Sequence, residues 1–350
     1  MSTISLCMIV KNEEDCIERC LDSVHALVDE IIIVDTGSTD MTTTLCKKYK
    51  AKIYEYSWNQ HFAKARNYGL SQATGDWILW LDADEELDKH GKLKIQEALE
   101  STDTKVFTLP TINYYGDTLA NENEAFIHYQ PRLFRNNHGI RFYNRIHENL
   151  RLPSGIEGQP IQAQIKHYGY LQGIVNKKQK AKRNMKLLKE ELRDQAHEPS
   201  TEYHLASEYY RNKEYERAFI YINQSILKFL RKGEKPPSIT YKLKYAILIE
   251  TGSFDGAWPS IEKAILLYPD YVDLYFYKGW ILYNLEKYTE AIQTFEQCIE
   301  LGEEHKDHLI LKGVGSFKAW HHKGLCLEKL GEFVEAEKAF QQAKTIERNV

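Results

Sequence analysis

At 350 residues the chain is long for one domain and comfortable for two. An apolar share of 43% supplies sizeable cores and, beside 27% charged residues, excludes a disordered chain; a formal net charge of -4 removes any global electrostatic case for nucleic acid. Six cysteines without a CxxC pair read as reduced, buried thiols, which points to a cytoplasmic protein. The start, MSTISLCMIVKNEE, lacks the basic region and cleavage site of a signal peptide, and no apolar run reaches the roughly 18–20 residues that span a bilayer.

In chain order, the first half alternates short apolar strands with helical patterns. Residues 5–10 read as a strand, and 15–24 carry Ile17, Cys20, Leu21 and Val24 at helical spacing. Cys16 and Cys20 share a face of that helix, where packing explains them better than metal binding, which needs further ligands. A β-branched run at 30–34 predicts a second strand ending at Asp35, after which Thr39 or Asp40 caps a helix to Tyr49. Two more strands are expected at 52–56 and 77–81, with a helix over 63–73 between them. Apolar strands separated by helices specify an α/β domain, over 1–175, with a mostly parallel sheet covered on both faces. Ligands of such sheets bind at the carboxyl ends of the strands. Polar residues collect there: Lys11, Asn12 and Glu13 after the first strand, Asp35 after the second, Asp82 and Asp84 after the fourth.

A basic run, Lys177, Lys178, Lys180, Lys182 and Arg183, opens a predicted linking helix over 176–199. It reads as the solvated face of that helix, with contact to a diphosphate or an anionic lipid surface as the functional alternative. A membrane site would also want an apolar face with exposed aromatics, whereas Met185, Leu187, Leu188 and Leu192 are expected to pack onto the helices beyond residue 200. From 200 to 350 the texture is helix upon helix. Ala218, Ala257, Ala291 and Ala336 recur near the start of a second helix, and twelve residues before each stands Ala206, Tyr245, Gly279 or Gly324. The 34 residues from Ala257 to Ala291 are the tetratricopeptide period; insertions near 232–238 and 303–315 lengthen the other units. Tyr275, Trp320, Phe295 and Phe340 fill further signature positions. An all-α array of about four helix pairs is expected, stacked so that a concave face holds an extended peptide. A purely architectural or dimer-forming role is the bland alternative.

The segment 75–87 is the most informative. Its apolar strand delivers Asp82, Asp84, Glu85 and Glu86 to one end, a clustering that is costly unless a cation neutralises it. Hard oxygen ligands suit Mg²⁺ or Mn²⁺, held by one or two carboxylates plus substrate phosphates. In transfer from a nucleotide diphosphate sugar, such an ion stabilises the leaving diphosphate.

Residues 4–14 (ISLCMIVKNEE), 30–40 (EIIIVDTGSTD), 62–67 (FAKARN) and 75–87 (GDWILWLDADEEL) resemble, in order, the motifs of family 2 glycosyltransferases of the Rossmann-like GT-A fold. With its repeats, the whole chain is similar to the bacterial subgroup that includes the S- and O-glycosyltransferases of glycocin peptides. The resemblance implies that Asp35 reads a uracil base, with Asn12 and Glu13 lining base and ribose. It places Arg66 and Asn67 near nucleotide and diphosphate, where a guanidinium suits phosphate oxygens. It makes Asp82, beside Ala83, a ribose or metal contact and Asp84 a direct metal ligand. Family 2 enzymes invert, so a general base must take the acceptor proton. Within 130–150 the triplet Ile146-His147-Glu148 resembles the I-H-E signature, which nominates Glu148 as base with His147 orienting it or touching the donor. His167 resembles a late histidine that completes metal coordination. The plain structural readings are a helix-capping Asp35, a salt-bridging Arg66, a backbone-bonding His147–Glu148 pair, and Trp58 and Trp80 as core.

The expectation is an inverting, metal-dependent transferase moving a hexose or N-acetylhexosamine from a UDP-sugar to a Ser, Thr or Cys side chain of a peptide or protein held by the repeats. A cell-envelope saccharide or lipid-linked sugar is the alternative acceptor, and a homodimer through the repeats a further possibility. A repeat scaffold with a degenerate transferase domain is the alternative of another class, against which intact Asp35, Arg66, Asp82 and Asp84 argue. A nucleotidyltransferase would want a Gly-rich basic loop after the first strand, where Glu13 and Glu14 would repel a triphosphate.

Overall fold

The computed structural model describes residues 2–100, 103–116, 122–171, 180–194 and 197–349; Lys177 and Lys178 of the basic run lie outside them. The chain divides into two compact units, 1–120 with 127–180, and 121–126 with 181–350.

In the first unit, β1 (Ile4–Val10), β2 (Glu30–Asp35), β3 (Lys52–Glu55) and β4 (Trp77–Trp80) lie parallel in the order β3-β2-β1-β4. Helices α1 (Ile17–Val24), α2 (Thr42–Lys48) and α3 (Phe62–Gln72) connect them. Successive strand residues point to opposite faces, and both faces are filled. Leu6, Ile33 and Leu79 pack with Ile17 and Leu21 of α1, while their neighbours Cys7, Ile32 and Ile78 pack with Ala63 and Leu70 of α3. Neither Thr39 nor Asp40 caps α2: its N-cap is Met41, without a side-chain cap bond, and Asp40 just before it accepts the Thr42 N–H at 3.0 Å. The chain leaves β1 to one side for β2 and returns on the other for β4. Where those paths diverge, at the carboxyl ends of β1 and β4, an open α/β sheet forms its ligand crevice.

Beyond β4 come β5 (Glu85–Leu87), α4 (Gly91–Glu100), β6 (Val106–Gly116), β7 (Ala125–Arg135), β8 (Arg141–Tyr143), β9 (Asn149–Arg151), β10 (Gln159–Pro160) and β11 (Ile165–Leu171). They extend the sheet as β4-β7-β6-β11-β5 and introduce antiparallel pairs, β7 on β4 and β5 on β11. The second of these sets His167 opposite Glu85. β8 and β9 form a separate hairpin closed by residues 144–148.

The second unit contains α5 (Lys180–Glu191), which buries Leu187 and Leu188. The helix pairs are α6 (Ser200–Arg211) with α7 (Tyr215–Arg231); α8 (Ser238–Glu250) with α9 (Phe254–Ala257) and α10 (Ile261–Leu267); α11 (Val272–Asn284) with α12 (Tyr288–Leu301); and α13 (Phe317–Lys329) with α14 (Phe333–Asn349). Ala218, Ala257, Ala291 and Ala336 are at most 1% exposed, so the recurring alanine is a packing position. A Cβ on Gly279 would lie 2.7 Å from the Phe295 ring, and one on Gly324 would lie 2.5 Å from Phe340. Those hairpins close ring against glycine. The second pair departs from the simple repeat: its second helix is interrupted before Ile261, where Pro259 has no N–H to donate. Among the described residues no helix is long and apolar enough to cross a membrane. All six cysteines are free and buried.

Candidate active site

The end of β4 delivers its four acids, and each meets a donor from elsewhere in the chain. Asp82 Oδ1 accepts from Arg66 Nη2 at 2.7 Å. Asp84 Oδ1 lies 3.4 Å from His167 Nε2. Buried Glu85 accepts from both terminal nitrogens of Arg132, at 2.9 and 2.6 Å. Glu86 accepts from the Tyr168 hydroxyl at 2.9 Å, with Arg19 3.8 Å away. Protein cations therefore answer much of the charge for which the acid cluster alone suggests a metal. Asp82 remains the most open of the Asp82–Asp84 pair, with 34% of its side chain exposed against 7% for Asp84. Burial works against the Asp82 anion, but Arg66 outweighs it and holds the carboxyl below the usual range. Burial likewise opposes charge on His167, yet Asp84 prevails and raises the imidazole pKa.

His167 is fixed from behind, its Nδ1 2.8 Å from the Asn113 amide oxygen. That second contact orients the ring, as supporting bonds do for metal-ligating histidines. Gly169 permits the close approach: a Cβ there would sit 2.5 Å from both Asp84 Oδ2 and His167 Nε2. One hard oxygen and one imidazole side by side suit Mn²⁺. Among the described residues no three His, Cys, Asp or Glu side chains surround a common point. An ion at Asp84 and His167 would complete its shell with water and substrate phosphate, the usual arrangement for small divalent cations in phosphate chemistry.

The FAKARN segment of α3 clamps the 144–148 loop. Arg66, 7% exposed, donates through Nε to Glu148 Oε1 at 2.6 Å, so one guanidinium joins Asp82 to Glu148. Both ends of the Asn67 amide, expected beside the diphosphate, bond to the Phe142 backbone at 2.8 and 2.9 Å. Arg145 donates to the Gln60 carbonyl at 2.8 Å, and its own carbonyl accepts from Phe62 N–H at 2.9 Å. His147 sits at φ 51° and Asn144 at φ 71°. Left-handed backbone at non-glycine residues costs on the order of 1 kcal/mol or more, and persists where surroundings over-determine it. The three clamps supply that constraint.

The ends of β1 and β2 are knitted into one rim. Asn12 Oδ1 accepts the Thr39 N–H at 2.8 Å, and the Glu13 N–H donates to Thr42 Oγ1 at 2.7 Å. Asp35, 7% exposed, accepts from both N–H and hydroxyl of Ser38, closing a turn after the strand. Ala83 is buried beneath the acids, where Cys20 Sγ donates to the Asp82 carbonyl at 3.4 Å.

Arg132, Asn113 and Gly169 belong to this site and are absent from the motifs. Arg132 alone left a trace, as a charge beside the apolar Leu133 and Phe134. Its guanidinium lies 3.8 Å from the Trp80 ring and that of Arg66 lies 4.7 Å from it, so one buried indole supports two cations that between them hold Glu85, Asp82 and Glu148. Trp80 is thus both core and site. Replacing Arg132 with Met leaves Glu85 buried without its counter-ion, a change expected to cost about 3–5 kcal/mol. Urea unfolding measures this; a midpoint equal to wild type would show the pair to be dispensable.

Residues 5–155 match Glycosyl transferase family 2, and residues 272–305 and 317–350 match the tetratricopeptide repeat. A TPR repeat-containing protein of Synechococcus elongatus is 31% identical over 280 residues, which are 76% of this chain and 66% of that protein. Glycosyltransferase SunS of Bacillus phage SPbeta is 28% identical over 291 residues, 80% of this chain and 67% of that one. An uncharacterized glycosyltransferase of Rickettsia prowazekii is 33% identical over 150 residues, 41% of this chain and 47% of that one. The matched stretch thus spans 66% and 67% of the length of the first two relatives. Acids gathered at the end of β4, together with the helix pairs of the second unit, agree with both matches: residues 5–155 form a family 2 glycosyltransferase domain, which the chain joins to tetratricopeptide repeats.

Proposed function

We propose that the chain is an inverting, metal-dependent transferase that moves a hexose or N-acetylhexosamine from a UDP-sugar to a Ser, Thr or Cys side chain of a peptide or protein. The reading rests on one observation above all: two sets of ion pairs, Asp82–Arg66–Glu148 and Asp84–His167, draw residues from four distant segments to the end of β4. The relatives named as glycosyltransferases support sugar transfer, and the repeats support a polypeptide acceptor. Free, buried thiols support a cytoplasmic setting. The domain limits proposed are 1–175 for transfer, 176–199 for the link and 200–350 for the repeats.

In this reading Asp35, with Asn12 and Glu13, receives the uracil base and ribose at the rim of β1 and β2. Asp82, a third exposed, faces the ribose. Asp84 and His167 would hold Mn²⁺ or Mg²⁺, which would supply positive charge to offset that of the diphosphate. Glu148, aimed by Arg66, takes the proton from the acceptor hydroxyl or thiol. The freed oxygen or sulfur bonds to the anomeric carbon from the face opposite the diphosphate, the glycosidic bond breaks, and UDP leaves with the bonding pair.

Incubation with a panel of nucleotide sugars, with Mn²⁺, Mg²⁺ or chelator, tests the proposal by mass spectrometry of sugar, UDP and added peptides. Metal-dependent turnover of a UDP-sugar is expected; absence of both turnover and UDP binding would leave the scaffold reading instead. Gly169→Ala pushes a methyl group between Asp84 and His167, so Mn²⁺ affinity should fall by about tenfold or more. Titration calorimetry with Mn²⁺ and UDP reads that loss without relying on activity.

A further inference from the structure

The described end of the basic run continues into a cationic face that glycosyl transfer leaves without a role. On α5, Lys182, Lys186 and Lys189 are exposed at spacings that place them along one side of the helix. Near that side, Tyr209 of α6 and Tyr221 of α7 stack with centroids 5.5 Å apart and planes 14° from parallel. Lys189 Nζ is 5.7 Å from the Tyr209 centroid, and the Arg217 guanidinium is 5.6 Å from it. Two hollows of about 430 and 370 Å³ adjoin here, sharing Lys189, Tyr209 and Arg217 in their walls. One reaches the exposed Ile220 and the other Met185. Among the described lining residues, Lys182, Lys189 and Arg217 face a lone acid, Glu214, which pairs with Arg217 at 2.7 Å.

We propose that this groove docks an acidic peptide segment carrying aromatic or apolar side chains. The surface is positive on a chain whose net charge is -4, so its charge is segregated rather than general. Exposed ion pairs add little affinity by themselves. Exposed Ile220 and half-buried Tyr221, braced by Tyr209, would supply contact area, while the cations select and steer an acidic partner. A lipid surface fits less well, because Tyr209 is only 5% exposed and lies within the hollow rather than projecting from it. A nucleic-acid strand fits less well too, since one ring pair offers no row of platforms for successive bases. Docking here stands apart from catalysis, whether or not the segment is the acceptor that the repeats are proposed to hold.

The test uses the full chain and a short fluorescein-labelled peptide of Glu, Tyr and Leu, with binding read by anisotropy. Controls are the same peptide with Lys for Glu, an oligo-dT strand, and vesicles containing phosphatidylserine. The variant carries Lys189→Glu with Arg217→Glu; both positions are exposed, and an unchanged thermal midpoint verifies the fold. The acidic peptide should bind the wild type, weaken as salt rises, and bind the variant about tenfold less tightly or worse. Failure to bind, equal binding of the lysine peptide, preference for DNA or vesicles, or undiminished binding by the variant would each overturn the proposal.

Discussion

Asp84→Ala is expected to reduce sugar transfer by about 10³-fold or more at saturating donor, with the fold intact. Loss of a ligand that helps neutralise a leaving diphosphate removes several kcal/mol of transition-state stabilisation, and each 1.36 kcal/mol is about tenfold in rate. The fold has reason to survive. Asp84 and Asp82 repel one another, an effect that works to raise the Asp82 pKa, so deleting one acid relieves part of that strain. The cost includes the lost contact to His167, 3.4 Å away, whose ring remains held by Asn113. Asp84→Asn keeps the shape and removes the charge, separating packing from electrostatics. Steady-state rates over a Mn²⁺ series, with circular dichroism as the fold control, decide the matter. Transfer within about threefold of wild type, less than 1 kcal/mol, would remove Asp84 from the metal site.

How much of the fold and site was legible in the sequence depends on whether the controlling interaction is local. β1, β2 and β4 could be read because two-faced burial demands runs such as EIIIV and WILW, and because those strands end where acids begin. The repeats could be read because close helix packing leaves a small residue at a fixed place. The Asp84–His167 approach was implied only by the resemblance, which put both on one metal; its structural cause could not be read. It depends on β5, three residues long, pairing antiparallel with a strand some eighty residues later, and on Gly169 leaving room. Motif resemblance placed Asn67 near the donor but had no means of showing that both ends of its amide hold Phe142. The acid cluster carried a further lesson. Four adjacent carboxylates argued for a metal only while their partners were unseen. Arg132 and Arg66, stacked on Trp80, show how much of that charge the protein balances itself. The metal reading now rests on Asp84 and His167 rather than on the count of acids.

Glu148→Gln should stop transfer while leaving donor binding in place. The substitution preserves size and keeps an oxygen that can accept from Arg66 Nε, now 2.6 Å away. The loop keeps its other two anchors, Asn67 on Phe142 and Arg145 on Gln60, so its left-handed residues stay constrained. What disappears is the capacity to take a proton, and loss of a positioned general base costs about 10²–10⁴-fold in rate. Arg66 would lose one of the two charges it serves but keep Asp82, so stability should fall by only about 1–3 kcal/mol. Calorimetry should give UDP-sugar affinity within about twofold of wild type, a difference below 0.5 kcal/mol. A variant that still transfers would exclude Glu148 as the base. A variant that loses both transfer and donor affinity would make Glu148 a clamp on Arg66 and Asp82, with the proton taken by another group.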